Sequence, residues 1–201
     1  ESTAGIQIRL STEATANAIR SLKPDVLIIA IGAEPVIPDL PGINKPNVVT
    51  VREMLSGKSK TGEKVIIAGA GLTGCEAALD LAQQGKYVTL IDMLPLADIA
   101  SDAAFLNKLG LLGLMQQKGV QIKTEVTLKA VTESGVGVID KKGNYSEIPA
   151  DTVVLSLGVK ARPVPLEFED LAPEFFTVGD CIRASDLFHA VHDGFNVSVE
   201  I

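Results

Sequence analysis

Three glycines at a fixed spacing are the residues of this sequence that point most directly to a chemistry. The turn that contains them consists of Gly69, Ala70, Gly71, Leu72, Thr73 and Gly74. In a GxGxxG turn the first glycine permits a tight bend, the second lets backbone N–H groups approach a pyrophosphate, and the third allows close helix packing. The amino terminus of a following helix adds partial positive charge beside the phosphates. The pattern therefore predicts the binding of a dinucleotide.

A single carboxylate completes this pattern. Asp92 lies 18 residues after Gly74, close to the spacing of about 20 at which an acid accepts hydrogen bonds from a ribose. The three residues that follow Asp92 carry no positive charge, and arginine is absent from residues 86–108. We therefore expect NADH to be preferred over NADPH, with no distant lysine or arginine in the pocket. The alternative is an ordinary strand-to-helix turn, with Asp92 solvated at a strand end.

The cysteines and histidines indicate weaker chemistry. Cys75 and Cys181 are far apart in the chain and form no CxxC pair, so no dithiol redox centre is predicted. A helix dipole could lower the pKa of Cys75, but we expect both thiols to be buried. His189 and His192 are three residues apart without a third ligand at usable spacing, which favours packing over metal binding. We assign no catalytic residue and no metal site.

The composition is that of an ordinary globular protein. Among 201 residues, 46% are hydrophobic and the formal net charge is −7. This charge argues against nucleic-acid binding, and no apolar run approaches the roughly 18 residues that a membrane span needs. Low cysteine use fits a reducing cytoplasm. Because the chain begins with Glu1 and almost directly enters a predicted strand, we interpret it as a piece of a longer protein.

Strand and helix patterns alternate along the chain, which predicts an α/β fold with a largely parallel sheet. An apolar strand at residues 64–68 leads into the glycine turn, a helix at residues 75–84 follows it, and the strand at residues 87–92 ends at the acid. Further strands are predicted at residues 5–10, 25–31, 121–124, 128–132, 136–140, 145–148, 152–157 and 175–178. These elements would place the turn and the acid at one edge of a sheet.

Three other helices and a stiff connection are predicted. One helix covers residues 12–22, one runs from a cap at Ser101 or Asp102 to residue 118, and one follows a cap at Ser185. The second of these is expected to face inward with Phe105, Leu106, Leu109, Leu112 and Met115. The proline-rich residues 34–47 indicate a connection between two domains, followed by a short strand and a helical turn at residues 48–57.

Four segments, taken together, resemble the flavoprotein reductases that bind two dinucleotides, in the superfamily of the pyridine nucleotide-disulfide oxidoreductases. The segments are residues 30–42, 69–76 with Asp92, 155–158 and 177–180. In that superfamily a nicotinamide-nucleotide domain is inserted into an FAD domain. The sequences Gly-Asp-Cys at 179–181 and His-Ala-Val-His-Asp-Gly-Phe at 189–195 narrow the resemblance. They are similar to the carboxyl-terminal part of 2-enoate and 2,4-dienoyl-CoA reductases, multidomain relatives of old yellow enzyme.

The resemblance implies two sets of nucleotide-binding residues. Beside the glycine turn, those implied for a nicotinamide nucleotide are Glu76, Asp92 and Gly158. Asp92 would bind the adenosine ribose, Glu76 would lie near the nicotinamide, and Gly158 would line the same cleft. Those implied for FAD are Ala30, Ile31, Gly32, Gly179 and Asp180. Asp180 would hydrogen-bond the ribityl or pyrophosphate part, and the next helix would point its amino terminus toward the flavin.

The implied fold is a three-layer, Rossmann-like nucleotide-binding domain inserted in a partial FAD-binding domain. Residues 1–57 and 163–201 would form the partial FAD domain, and residues 58–162 the NAD-binding domain. The chain departs from the family in two respects. It has one GxGxxG turn where the family has two, so we expect its FAD site to be incomplete, and Asp193 stands where many relatives carry Glu.

The implied function is the passage of a hydride from NADH to FAD, for reduction of an activated alkene of enoate or dienoyl type elsewhere in a parent protein. FMN and an iron–sulfur cluster are expected only in an amino-terminal barrel domain that this chain lacks. Two alternatives stay open. One is an NADH oxidase or another FAD-dependent pyridine-nucleotide reductase, and the other is a non-catalytic NADH-binding sensor. The missing cysteine pair argues against a disulfide reductase.

Overall fold

A computed structural model describes residues 5–201 of the chain and divides them between two compact units. The first unit comprises the described part of Glu1–Glu34 together with Lys160–Ile201, and the second unit comprises Pro35–Val159. The sequence-based boundary at residue 57 differs from this division. Residues 48–50 form an edge strand in the sheet of the second unit and residues 51–55 form the helix after it, so the unit begins before them. The predicted connection at residues 34–47 therefore falls almost wholly inside the second unit.

The elements follow one another in an alternating α/β order. The strands are β1 Val26–Ile29, β2 Ala33–Pro35, β3 Val48–Thr50, β4 Lys64–Ala68, β5 Tyr87–Ile91, β6 Gln121–Lys123, β7 Val126–Val131, β8 Gly135–Asp140, β9 Tyr145–Pro149, β10 Thr152–Leu155, β11 Val159–Ala161 and β12 Glu174–Thr177. The helices are α1 Ala16–Leu22, α2 Val51–Leu55, α3 Leu72–Gln83, α4 Phe105–Gln117 and α5 Leu187–Glu200, with single 3₁₀ turns at Leu166–Phe168 and Gly179–Cys181.

The second unit has three layers around a parallel sheet. Its five strands lie in the order β3-β10-β4-β5-β6, and every neighbouring pair is parallel. Alternate residues of β4 face opposite sides, since Ile67 packs with the α3 and α4 side and Ile66 packs with the antiparallel sheet β7-β8-β9. A strand covered on both faces must be apolar throughout, which is why β4 reads Val-Ile-Ile-Ala without alternation. The α/β, Rossmann-like fold expected from the sequence is confirmed.

Helix α4 departs from the prediction at its start and on its inward face. It begins at Phe105 after an uncapped Ala104, three residues beyond the predicted caps. Met115 is fully buried, whereas Phe105, Leu106 and Leu109 are exposed by 71%, 76% and 52%. Apolar residues surround this helix on nearly every side, so its sequence contains no clear stripe. The face that packs was therefore decided by contact with α3 rather than by periodicity.

Within residues 5–201, the core of the first unit packs on a sheet of two strands. β1 and β12 pair in parallel, and their core consists of Ala16, Ile19, Ile29, Phe168, Leu171 and Cys181. The strand predicted at residues 5–10 is not formed, because these residues have no ladder partner in the described part of the chain. Helix α1 begins after Thr15, whose hydroxyl accepts from the Ala18 N–H. That start is four residues later than predicted.

Helix α5 is capped by Asp186 and not by Ser185. The Asp186 carboxylate accepts a hydrogen bond of 2.9 Å from the His189 N–H, and the helix runs to its bound at Glu200. No residue of this helix is buried. Within residues 5–201, no helix has the length and apolar character needed to cross a membrane.

Candidate functional site

The glycine turn lies between β4 and α3, as the sequence predicts. Gly69 has a φ of +104°, and a Cβ built there would lie 2.1 Å from the Ser156 carbonyl oxygen. A Cβ on Gly74 would lie 2.0 Å from the Gly69 carbonyl oxygen, so the helix could not approach the strand with a larger residue. At Gly71 the nearest atom to such a Cβ is an Asp102 oxygen at 3.9 Å. The first and third glycines are thus required by packing, while the second leaves free space.

Helix α3 begins at Leu72, directly after the second glycine of the turn and three residues earlier than predicted. Gly71 is its N-cap residue, and no side chain of the cap satisfies the first N–H groups. The Leu72 N–H donates instead to the Asp102 carboxylate at 2.9 Å. An acidic group therefore already lies at the helix amino terminus, where backbone donors and the helix dipole favour an anion.

Asp92 ties the turn to the end of β5. One carboxylate oxygen accepts from the Ala70 N–H at 2.6 Å, and the other accepts from the Leu94 N–H at 2.8 Å. The residue is half-buried. Each carboxylate oxygen has two acceptor sites, so both can still accept from a ribose hydroxyl. Asp92 can therefore shape the turn and bind a ligand at the same time.

A cavity of about 600 Å³ opens beside the turn, within the second unit. The ends of three parallel strands contribute Gly69, Asp92 and Ser156, and β7 contributes a further wall. Gly71 and Gly158 line the same cavity. Open α/β sheets bind ligands at this edge, beyond the carboxyl ends of their strands. The structure thus brings together the turn, Asp92 and Gly158, which the sequence analysis placed in one cleft.

Glu76 is the residue of this set that lies apart. It is exposed on α3 and lines a second groove, between α3 and α4, together with Asp102 and Leu106. Leu72 and Glu76 are four residues apart and therefore share the helix face that looks toward α4. Thr73 is exposed in the first turn of α3. The structure does not bring Glu76 to the cavity, where the resemblance placed it.

The residues predicted for FAD meet at one edge of the first unit. Ala30, Ile31 and Gly32 follow β1, and Gly179 and Asp180 follow the parallel strand β12, so both segments leave the sheet at the same edge. Gly32 and Gly179 have φ angles of +72° and +69°. The Asp180 carboxylate accepts from the Ser185 N–H at 3.1 Å.

Asp193 holds this edge from α5. Its carboxylate accepts a hydrogen bond of 3.2 Å from the Gly179 N–H. The sequence contains no second GxGxxG turn that could hold an FAD pyrophosphate. These residues fit part of an FAD site only.

Lys129 is a cavity residue that the sequence analysis missed. It lines the cavity on β7, which corrects the expectation that no distant lysine or arginine would enter the pocket. The apolar residues Val126, Leu128 and Val131 are spaced by two and then three residues, and all pack into one core. That break in the strand alternation was the signal that a side chain would be redirected here.

The two cysteines are buried without forming a disulfide, and His189 contacts a residue of its own helix cap. Burial, and to a smaller extent the carboxylates of Asp102 and Asp92, raise the pKa of the Cys75 thiol to about 11. The helix dipole therefore does not activate this thiol, and the expected burial of both cysteines is confirmed. His189 contacts the Asp186 carboxylate at 2.6 Å. Among residues 5–201, no group of three His, Cys, Asp or Glu side chains is arranged to hold a metal.

Comparison with known protein families shows the family to which the chain belongs. A family profile described as pyridine nucleotide-disulphide oxidoreductase matches residues 5–177. The chain belongs to this family. The resemblance drawn from its motifs is thereby confirmed, and pyridine nucleotide-disulphide oxidoreductases bind FAD and a nicotinamide nucleotide.

Individual relatives are multidomain flavoenzymes of this family. The chain is 33% identical over 208 residues to an NADH oxidase of Thermoanaerobacter brockii, covering 100% of this chain and 31% of that protein. It is 28% identical to a cinnamate reductase of Clostridium sporogenes, covering 98% and 30%. A solved complex of 2-naphthoyl-CoA reductase with 2-naphthoyl-CoA superposes with a TM-score of 0.89 at 35% identity, covering 98% and 30%. The chain thus spans about a third of the length of these relatives.

Proposed function

We propose that the second unit binds NADH in the cavity beside the glycine turn. The observation that carries this proposal is the open space at Gly71, where the atom nearest to a built Cβ is an Asp102 carboxylate oxygen at 3.9 Å, so that a ligand can approach the backbone of the turn. The glycine turn and the helix amino terminus would hold the pyrophosphate. Asp92 would accept from the adenosine ribose, and the apolar wall formed by Val126 and Leu128 would contact the adenine.

The first unit would contribute the return half of an FAD site. Ala30, Ile31 and Gly32 would pass beside the flavin, and Gly179 and Asp180 would contact its ribityl or pyrophosphate part. Their common edge beyond β1 and β12 supports this assignment. The second unit, Pro35–Val159, would then act as the NAD-binding domain, and the first unit as part of an FAD-binding domain. These residues would hold the nicotinamide nucleotide and FAD, and the two cofactors would supply the hydride-transfer chemistry.

The parent reaction that we propose is the reduction of an activated alkene of enoate or dienoyl type. The cinnamate reductase and 2-naphthoyl-CoA reductase among the relatives support it. The alkene site, and any FMN or iron–sulfur cluster, would lie in a further barrel domain. An NADH oxidase is the second candidate, because the relative from Thermoanaerobacter brockii carries that name. Oxygen consumption against cinnamate-type alkene reduction in a full-length parent distinguishes the two candidates.

The test of nucleotide binding compares the chain with its Gly71→Val variant by calorimetric titration with NADH. We expect the unmodified chain to bind, and the variant to fold but to lose at least about tenfold in affinity, because the branched Cβ occupies the space of the pyrophosphate. Circular dichroism checks the fold of the variant. Gly110→Val is a matched control, since Gly110 also has open space around a built Cβ but does not line the cavity. Equal NADH affinity of the chain and the folded Gly71→Val variant would refute this site.

A further inference from the structure

Strand β7 contains an irregularity beside the cavity. In its antiparallel pairing with β8, Leu128 lies opposite Val138 and Ala130 lies opposite Gly137. Lys129 is therefore an extra residue with no partner across the ladder. Such a β-bulge bends the strand and redirects a side chain, and bulges are frequent beside binding sites. The bulge also explains why Val126, Leu128 and Val131 can all face the same core.

The redirected residue brings a positive charge to the cavity. Among the described residues that line it, Lys129 is the one cation and Asp92 the one anion. The lysine ion pairs formed within residues 5–201 involve Lys45, Lys141 and Lys160, and Lys129 takes part in none of them. Its side chain is exposed to solvent at the cavity wall. The ammonium group is thus free to pair with a ligand.

The distance along the strand separates the two charges. The Val126 N–H donates to the Asp92 carbonyl oxygen at 2.9 Å, so β7 starts beside the acid. Lys129 is three residues farther along, which corresponds to about 10 Å of strand. A lysine there is too far along to neutralise Asp92 by direct contact, yet it shares a single cavity with Gly71. An anion bound between them can meet both the helix amino terminus and the ammonium group.

We propose that Lys129 determines the affinity of the cavity for dinucleotides by pairing with their pyrophosphate. This inference rests on the proposed binding of NADH in the cavity. The lysine supplies the positive charge that the cavity otherwise lacks, since Asp92 and the nearby Asp102 both repel an anion. A phosphate contact of this kind depends on the charge and not on the length of the apolar stem, which separates it from simple packing of the side chain.

The experiment measures the dissociation constants of NADH, NADPH and adenosine for the full chain and three variants. Lys129→Met keeps the apolar stem and removes the charge, and Lys129→Arg keeps the charge. Lys118→Met removes an equal charge from an exposed position beyond the carboxyl end of α4. Circular dichroism and thermal melting check that each variant folds. Adenosine, which carries no phosphate, is followed by NMR line broadening.

We expect Lys129→Met to weaken NADH and NADPH by about fivefold each and to leave adenosine unchanged. Lys129→Arg and Lys118→Met should stay within about twofold of the unmodified chain. The affinity of Lys129→Met for NADH should also depend less steeply on salt, because one screened attraction is missing. A loss confined to NADPH would overturn the inference, because it would assign the contact to the 2′-phosphate and not to the pyrophosphate.

Two further results overturn the inference. One is an unchanged NADH and NADPH affinity in Lys129→Met, and the other is an equal loss for adenosine, which would assign the lysine to packing alone. Failure of the unmodified chain to bind NADH is a different outcome. It refutes the proposed function itself, and it is recorded before any variant is compared.

Discussion

The two units of this chain both combine parallel strands with helices, but they bury their apolar residues to different extents. The second unit covers its five parallel strands on both faces, and Ile67 and Val153 are completely buried between them. In the part of the chain that the structure describes, the sheet that carries the core of the first unit has two strands. Helix α5 of that unit buries no residue and leaves an apolar stripe exposed, which consists of Leu187, Val191, Phe195 and Val199 at a spacing of four.

The difference shows where the stability of the chain must come from. Burial of apolar area is the dominant favourable contribution to folding, at about 25 cal/mol per Å². The second unit obtains that contribution from residues within itself. The first unit forms a core of six buried residues and presents the rest of its apolar surface to solvent. We therefore expect the second unit to fold and bind its ligand robustly, and the first to depend on further contacts.

The largest predicted effect compares a buried residue of the second unit with an exposed apolar residue of the first. Ile67→Ala in the second unit should lower the free energy of unfolding by about 2–5 kcal/mol, since it opens a cavity between the sheet and α3. Phe195→Ala on the stripe of α5 should change it by about 0.5 kcal/mol or less. Urea unfolding followed by circular dichroism measures both. An equally large loss for Phe195→Ala would show that α5 is packed in solution.

The second prediction concerns FAD retention. The first unit presents Asp180 and Gly32 at its strand edge but no second glycine turn, and each missing charge-assisted hydrogen bond costs about 1.5–3 kcal/mol. We expect this chain to purify without one equivalent of flavin, while it still binds NADH. The absorption spectrum measures flavin content, and the NADH titration is the internal control. Flavin absorption at one equivalent would contradict the prediction that the first unit forms only part of an FAD site.

The exposed stripe of α5 predicts self-association of the same sample. Exposed apolar patches of this kind favour association. Sedimentation at rising concentration should show oligomers, and Phe195→Lys should reduce them without altering NADH affinity. Glu200→Lys is the matched control, because it adds positive charge to the same helix outside the apolar stripe. A strictly monomeric chain at all concentrations would contradict this prediction.

The third effect is coenzyme preference. Asp92 is half-buried at the end of β5, where a 2′-phosphate would lose a hydrogen bond and meet a like charge. A lost charged hydrogen bond of about 1.5 kcal/mol corresponds to about tenfold, so we expect NADH to bind about tenfold more tightly than NADPH. Lys129 lies too far along β7 to cancel this repulsion by contact.

Two variants test the role of Asp92 in that preference. Asp92→Asn should narrow the ratio mainly by weakening NADH, while it keeps an acceptor for the Ala70 N–H. Asp92→Ala removes that acceptor as well and should also destabilise the turn. Calorimetric titrations with both coenzymes give the ratio directly. Equal affinity of the unmodified chain for NADH and NADPH would refute the role of Asp92.

The sequence predicted the second unit better than the first for a physical reason. The strand at 64–68 was predicted with its observed bounds, because a run of β-branched residues buried on both faces is unmistakable. The glycine turn was predicted because its first and third positions leave no room for a Cβ, and Asp92 was predicted because a carboxylate after the next strand completes the pattern. Residues 5–10 alternate like a strand but have no partner strand among residues 5–201. The sequence of one segment cannot show whether a partner strand is present.

Long-range geometry explains the remaining differences at the site. Lys129 enters the cavity through a bulge whose position depends on the pairing of β7 with β8. Glu76 lies outside the cavity because α3 begins at Leu72, three residues earlier than predicted. The helix face that carries Leu72 and Glu76 lines the groove toward α4. Asp102 was predicted as a cap of its own helix, yet it bonds the amino terminus of another. The contacts of Glu76 and Asp102 have no local pattern, and the break in strand alternation around Lys129 indicates a bulge but not the cavity that the side chain enters.

The smallest predicted effect comes from this last contact. The Asp102 carboxylate accepts from the Leu72 N–H at 2.9 Å and so engages a donor that the pyrophosphate would use. An anion at a helix amino terminus is stabilised by about 0.3–1 kcal/mol, and removing this one frees the position for the ligand. Asp102→Asn should therefore strengthen NADH binding about two- to fivefold and lower the free energy of unfolding by a few tenths of a kcal/mol.

Asp98→Asn removes the same charge from an exposed position of the same loop and should change neither quantity. Titrations at low and high salt separate the cause, because a repulsion between exposed charges shrinks as salt rises. Weaker NADH binding by Asp102→Asn would mean that the carboxylate supports the turn rather than competing with the ligand.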